Sequence, residues 1–226
     1  GVVGKPAPVG GSRSTDSLTQ PGAVSVPGTH NSEMGCTGGS NAGDWMPECD
    51  LAQLTLDPQS GIWKGTWTMP AGQWSYKAAI DRSWDENYGE GGVLAGGNIA
   101  YETTAEGPVS FYYDHATHWV TSSAEDPIIT APGNFQSELG CNDWQPECMR
   151  PWLQDPDGDG TYTFTTKLIP AGSYEGKVAH GLSWAENYGA GGVFDGPNIA
   201  FTVPADGATT TFTYDVATHI LTVTSS

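Results

Sequence analysis

Trp84 and Trp184 each open the string Trp-x-Glu-Asn-Tyr-Gly, as Trp84-Asp85-Glu86-Asn87-Tyr88-Gly89 and Trp184-Ala185-Glu186-Asn187-Tyr188-Gly189. A lysine stands seven residues before each, Lys77 and Lys177. Past a Gly-rich loop follow Asn98 and Asn198, each opening Asn-Ile-Ala. A flat indole beside an ammonium and a carboxamide suits one chemistry in particular. The ring covers the apolar face of a pyranose, while Lys and Asn reach its hydroxyls. Covering roughly 50–100 Å² of sugar supplies about 1–3 kcal/mol, so one such site binds weakly. The competing reading has both indoles plugging the edge of a core, with the asparagines only making turns. Both Trp stand in polar, Gly-flanked loops, and the Lys, Glu, Asn and Tyr around them occur twice, whereas Trp74 is matched by Tyr174 and Ile80 by His180. The expectation is a binding site at Lys77, Trp84, Asn87, Tyr88 and Asn98, and a second at Lys177, Trp184, Asn187, Tyr188 and Asn198.

Other chemistry is weaker. Asp155-Pro156-Asp157-Gly158-Asp159-Gly160 opens like a calcium loop but has Thr166 where the distal Glu belongs, so an Asp/Gly hairpin turn is expected. Whether it also takes calcium stays open. His118 and His219 occupy matching positions after Tyr-Asp, where a left-handed turn residue is expected rather than a metal ligand. Glu86 and Glu186 lack a repeated second carboxylate, because Asp85 is matched by Ala185. No Gly-x-Ser-x-Gly, His-Glu-x-x-His or phosphate loop occurs. No cofactor, metal or catalytic residue is assigned.

What must position these residues is read from a duplication. Pro70–Ala100 reads PAGQWSYKAAIDRSWDENYGEGGVLAGGNIA and Pro170–Ala200 reads PAGSYEGKVAHGLSWAENYGAGGVFDGPNIA, with 18 of 31 positions identical and no gap. The match extends upstream, from Val26-Pro27-Gly28 to Ala131-Pro132-Gly133 and from Asp44-Trp45-Met46-Pro47-Glu48-Cys49 to Asp143-Trp144-Gln145-Pro146-Glu147-Cys148. Downstream, Phe111-Tyr112-Tyr113-Asp114 matches Phe212-Thr213-Tyr214-Asp215. A period near one hundred residues marks duplicated domains, not a solenoid. Expected boundaries are a linker over 1–22 and modules over 23–123 and 124–226.

Within a module the period is two. Trp74, Tyr76, Ala78 and Ile80 alternate with Gln73, Ser75, Lys77 and Ala79, which predicts a half-buried strand with Lys77 facing solvent; Lys177 follows suit. Ile62–Trp67, Val109–Asp114, Thr161–Leu168 and Thr209–Asp215 also read as strands, and His118–Thr121 and His219–Thr224 as closing ones. Seven or eight short strands per module predict two tandem immunoglobulin-like antiparallel β-sandwiches, a barrel being the alternative.

Composition agrees. The chain has 226 residues, 31 Gly, 16 Pro, 9 Trp and 9 Tyr, and only 15% charged residues, the profile of a folded, turn-rich β protein. A net charge of −18 excludes nucleic-acid phosphates and anionic membrane leaflets as partners, and it leaves a neutral polymer possible. No apolar stretch is long enough to span a bilayer, and no leader pattern opens the sequence, so any signal peptide is expected to be absent or removed. Cys36, Cys49, Cys141 and Cys148 are too widely spaced for zinc knuckles, so local disulfides Cys36–Cys49 and Cys141–Cys148 are expected, implying a secreted, extracellular protein.

These residues together resemble the accessory β-sandwich modules of secreted pullulanases and α-amylases, and more distantly the family-48 and family-20 starch- and glycogen-binding modules. The shared pattern is Trp45, Pro70-Ala71-Gly72, Tyr76-Lys77, Trp84 and Asn98-Ile99, repeated as Trp144, Pro170-Ala171-Gly172, Lys177, Trp184 and Asn198-Ile199 with Gly176 in place of the Tyr. It covers both modules from about Val24 onward. The resemblance implies that the Trp, Lys, Trp and Asn positions contact an α-glucan (starch, glycogen or maltooligosaccharide), without catalysis, on behalf of an attached catalytic domain. Trp45 and Trp144 lie beside cysteine loops foreign to the glycogen-binding pattern, and packing under the disulfide is their other reading. The rival functions are a structural or protein-binding spacer without sugar affinity, and a small glycoside hydrolase.

Overall fold

The computed structural model describes residues 18–226. The first 17 residues of the expected linker lie outside the described part. Residues 20 and 22 hold the first unit: the Trp63 indole donates to Gln20 Oε1 at 2.9 Å and the Gly22 amide to Asp81 Oδ1 at 3.1 Å. The chain divides into two compact units, Thr19–Asp57 with Ile62–Asp126, and Pro127–Ser226 with Pro58–Gly61.

The first unit contains β1 (Val24–Ser25), β2 (Thr55–Asp57), β3 (Ile62–Met69), β4 (Gly72–Tyr76), β5 (Ala78–Ile80), β6 (Asn87–Tyr88), β7 (Ile99–Thr103), β8 (Gly107–Tyr113) and β9 (Val120–Ser122). They pair antiparallel as β2-β3-β8-β9, β4-β7 and β1-β5-β6. Alternation does the sorting: in β7, Ile99 and Tyr101 are buried while Ala100 and Glu102 are exposed. With Phe111, Tyr113, Trp63, Met69 and Tyr76 they form the core. The second unit repeats the plan with β10 (Ile129–Thr130), β11 (Trp152–Leu153), β12 (Thr161–Thr166), β13 (Gly172–Gly176), β14 (Val178–His180), β15 (Glu186–Tyr188), β16 (Ile199–Val203), β17 (Thr210–Asp215) and β18 (Ile220–Ser225). Its sheets are β12-β17-β18, β13-β16 and β11-β10-β14-β15, all antiparallel. The all-β antiparallel expectation holds.

One expectation changes. The run after Pro-Ala-Gly is two strands, β4 and β5, broken at Lys77. β4 pairs with β7 up to Tyr76↔Ile99; β5 then pairs with β1 and β6. The Lys77 amide spans the break by donating to the Pro27 carbonyl at 3.0 Å, as Lys177 does to Pro132 at 2.9 Å. Ala78, Ala79 and Ile80 are all buried, so alternation stops where the strand changes partners.

The replacement of Tyr76 by Gly176 is compensated in the core. In the first unit His30 stacks on Tyr76, with centroids 5.6 Å apart. The second unit places Phe135 where His30 stands, and a Cβ on Gly176 would meet the Phe135 ring at 3.1 Å. The larger ring occupies the space given up by the missing phenol, in keeping with the conserved volume that packed cores require.

Candidate functional site

The site grows from the β4–β5 break. One step beyond the Tyr76↔Ile99 pair, the facing positions are Lys77 and Asn98; beyond Gly176↔Ile199 they are Lys177 and Asn198. Gly28 bridges to Tyr76, and its carbonyl accepts the Trp45 amide at 3.0 Å. Gly133 bridges to Gly176 and accepts the Trp144 amide at 3.1 Å. A loop closed by Cys36–Cys49 in one unit and Cys141–Cys148 in the other brings this tryptophan in. Both expected disulfides are present.

Trp45 and Trp144 have φ of 56° and 57°, the left-handed region that bulky side chains avoid at a cost of order 1–3 kcal/mol. Backbone hydrogen bonds on both sides over-determine that conformation. Fully buried Asn31 accepts the Gly28 amide at 3.1 Å and the Met46 amide at 3.0 Å through the same Oδ1. Gln136 Oε1 does the same for Gly133 at 3.1 Å and Gln145 at 2.8 Å. The strained tryptophan thereby faces its partner. Trp45 and Trp84 have ring centroids 6.3 Å apart with planes inclined by 38°; Trp144 and Trp184 repeat this at 6.4 Å and 35°. Trp84 is 41% exposed and Trp184 40%, so these indoles stand at the surface and do not seal the core.

Paired left-handed residues launch the loop before each exposed tryptophan, Asp81-Arg82 in one unit and Gly181-Leu182 in the other. Asn87 Nδ2 then donates to the Trp84 carbonyl at 2.9 Å, and Asn187 to that of Trp184 at 2.9 Å. These asparagines brace the loop from beneath. Tyr88 and Tyr188 are 6% and 8% exposed and lie flat on His118 and His219 at 4.0 and 3.8 Å, with hydroxyls donating to Glu86 and Glu186. They underpin the site and present no face at its surface. Both histidines have φ near 60°, as their turn position suggested. The glutamates are hydrogen-bonded into this stack.

Lys77 and Lys177 correct the solvent-facing expectation. Lys77 is half-buried, and burial holds its ammonium below the usual lysine range. Lys177 is 8% exposed, its Nζ 6.0 Å from the Trp184 ring centroid and 3.9 Å from Asp195 Oδ1. Both strands end here, and in the second unit the lysine runs inward along the tryptophan loop instead of standing out from a sheet face. Asn98 and Asn198 are exposed. Each unit thus holds two inclined indoles, with the Lys177 ammonium lying over one of them in the second unit, and an exposed asparagine one step beyond the strand pair that ends at the lysine.

A family model described as the Pullulanase X25 domain matches residues 23–120 and again 128–221. The chain belongs to this family. An amylopullulanase of Thermoanaerobacterium thermosulfurigenes is 39% identical over 158 residues, covering 67% of this chain and 8% of that protein. One of Thermoanaerobacter thermohydrosulfuricus is 32% identical over 210 residues, covering 89% of this chain and 13% of that protein. The chain thus spans a small part of the relatives it matches. The solved pullulanase from Bacillus acidopullulyticus aligns at 13% identity with a TM-score of 0.39, over 91% of this chain and 28% of that one. The resemblance to pullulanase accessory modules read from the motifs holds.

Two features of these X25 domains escape sequence reasoning. Asn31 and Gln136 are the buried pivots of the strained tryptophans, and the only trace in the sequence is an amide residue four positions after Pro27 and Pro132. Leu94 and Phe194, 63% and 60% exposed, crown the Gly-rich loop, whose next residue donates its amide to the Asn87 or Asn187 carbonyl. The Asp155–Asp159 turn brings three carboxylates within 4.8 Å, and Asp155 accepts the Asp159 and Gly160 amides, at 3.1 and 2.9 Å.

Proposed function

We propose that the two X25 domains are non-catalytic binding modules for α-glucan chains of starch, glycogen or maltooligosaccharides, and that they hold an attached secreted amylolytic enzyme on its substrate. The observation that carries this reading is the inclined pair of indoles, Trp45 with Trp84 and Trp144 with Trp184, at nearly the same distance and angle in both units. Two rings tilted by some 35–38° suit successive sugars of a curved α-linked chain better than the flat ribbon of a β-linked one. Lysine and asparagine beside them supply donors for hydroxyls. Amylopullulanases that contain matching segments support the substrate class, and the two disulfides support an extracellular setting. Two weak sites on one chain gain avidity on a polymer, by ~10²–10⁴ where both engage.

The test is retention on insoluble starch together with titration by maltoheptaose. The intact chain should be pulled down, and changing Trp84 and Trp184 together to Ala should release it with the thermal unfolding midpoint kept. Retention unchanged in that variant rejects the indole platform. No signal with millimolar maltoheptaose favours a spacer, and release of reducing sugar favours a hydrolase.

A further inference from the structure

The two sites share a backbone and differ in what their donors already hold. In the second unit Lys177 Nζ lies 3.9 Å from Asp195 Oδ1, and Asn198 Nδ2 donates to Glu175 Oε2 at 3.1 Å. Asp195 also accepts from Asn187 at 3.4 Å. The first unit has Ala95 where Asp195 stands and Ser75 where Glu175 stands. Among the described residues, no carboxylate or carbonyl engages the side-chain nitrogens of Lys77 and Asn98. The backbone itself is unchanged: Ala95 and Asp195 have φ of 52° and 50°, and each donates its amide to the matching asparagine carbonyl, at 2.8 and 2.9 Å. Ser75 and Glu175 likewise donate their amides to a side-chain oxygen of the Pro-Gly loop, at 3.0 and 2.9 Å.

We infer that Asp195 and Glu175 are specificity-determining residues that make the two glucan sites unequal, the first binding a neutral maltooligosaccharide more tightly than the second. A sugar hydroxyl arriving at Lys177 or Asn198 competes with a carboxylate for the donor; one arriving at Lys77 or Asn98 competes only with water. A long ion pair to an exposed carboxylate and an exposed hydrogen bond are each modest, so the difference is about threefold to tenfold in Kd. This inference rests on the glucan reading, and the experiment separates the two.

Maltoheptaose is titrated calorimetrically into full-length single-site chains. Trp184→Ala together with Trp144→Ala leaves the first site, and Trp84→Ala together with Trp45→Ala the second; these are the Trp184→Ala and Trp84→Ala chains. The first should bind about threefold to tenfold more tightly. Adding Glu175→Ser and Asp195→Ala to the Trp84→Ala chain should close the gap; adding Ser75→Glu and Ala95→Asp to the Trp184→Ala chain should weaken its site equally. Each exchange installs the residue that the sibling unit already carries at the same backbone geometry, and unfolding midpoints confirm that the chains remain folded. Equal affinities in the single-site chains, or a gap that the exchanges leave unmoved, overturn the inequality while the glucan reading stands. If neither these chains nor the unmodified protein takes maltoheptaose, the glucan reading fails and this inference falls with it.

Discussion

The indole of Trp45, held in a left-handed backbone conformation, stands 6.3 Å from the indole of Trp84 with the two planes 38° apart. The disulfide loop supplies one ring and the loop after β5 the other, so neither alone makes the platform. Changing Trp45 to Ala should therefore cost maltoheptaose affinity about as much as changing Trp84, roughly tenfold each in a chain whose second site is removed. The double change should cost less than the sum of the two, because a lone ring positions a sugar poorly. Titration of the four chains of this cycle checks it, and full additivity would mean that the rings act separately.

Much of this was legible in the residues. Duplication exposed the two-unit plan, because Pro70–Ala100 and Pro170–Ala200 align without a gap, and period two exposed β3, β8, β12 and β17. The break at Lys77 was hidden: alternation continues through Ser75-Tyr76-Lys77-Ala78, and only the Pro27 carbonyl, 50 positions away, reveals where the strand changes partner. The role of Tyr88 was hidden for a similar reason. Its string reads as part of the exposed loop, but its ring is captured by His118 from a distant turn. The residue difference between Ala95 and Asp195 stands in the sequence, and its meaning came only with Lys177 placed 3.9 Å from that carboxylate.

The Cys36–Cys49 bridge closes a loop of sequence separation 13 that ends beside Trp45. Changing both cysteines to Ala should lower stability by about 3 kcal/mol through the entropy of the unfolded chain, and removing Cys141–Cys148 by slightly less. Urea unfolding measures this. Loss of the first bridge should also weaken maltoheptaose binding several-fold, since Asn31 then holds the strained Trp45 against a freer loop. Binding that survives unchanged would assign the orientation to Asn31 alone.

Asn87 acts on Trp84 through its carbonyl. Asn87→Ala removes that brace and leaves a carbonyl without its donor, at an expected cost of about 1–2 kcal/mol in stability. Binding should weaken while the enthalpy per site stays close to that of the parent, because the contacting rings are unchanged. A loss of stability with binding intact would make Asn87 a fold residue only. Hydrogen exchange at the Trp84 loop amides gives an independent reading, and should quicken in the variant.

The first unit contains two buried titratable groups whose pH effects oppose. His30 donates from Nε2 to the Val26 carbonyl at 2.8 Å and pairs at Nδ1 with the Tyr101 hydroxyl at 2.7 Å, and burial pushes its pKa down from 6.5 to about 4. Glu125 accepts the Tyr76 hydroxyl at 2.6 Å, and burial pushes its pKa up from 4.5 to about 7. For His30 the unfolded chain binds the extra proton, so stability is lost as pH falls from about 6.5 towards 4. For Glu125 the folded state holds the proton, so stability is lost as pH rises from about 4.5 through 7. Asp126, raised by burial, adds to the second slope, and His115 and His118, lowered by burial, add to the first. Over the shared window the slopes largely offset, and the stability of this unit should change little with pH. Glu125→Gln keeps an acceptor for Tyr76 but removes one of the two opposing groups, leaving Asp126 alone against the histidines. Its stability should then rise across that window by on the order of 2 kcal/mol. Urea unfolding of the full chain at the two ends of the window, followed on amide signals of β3 and β8, measures this. A variant as flat as the parent would mean that one of the two groups does not titrate in the folded state as its burial requires.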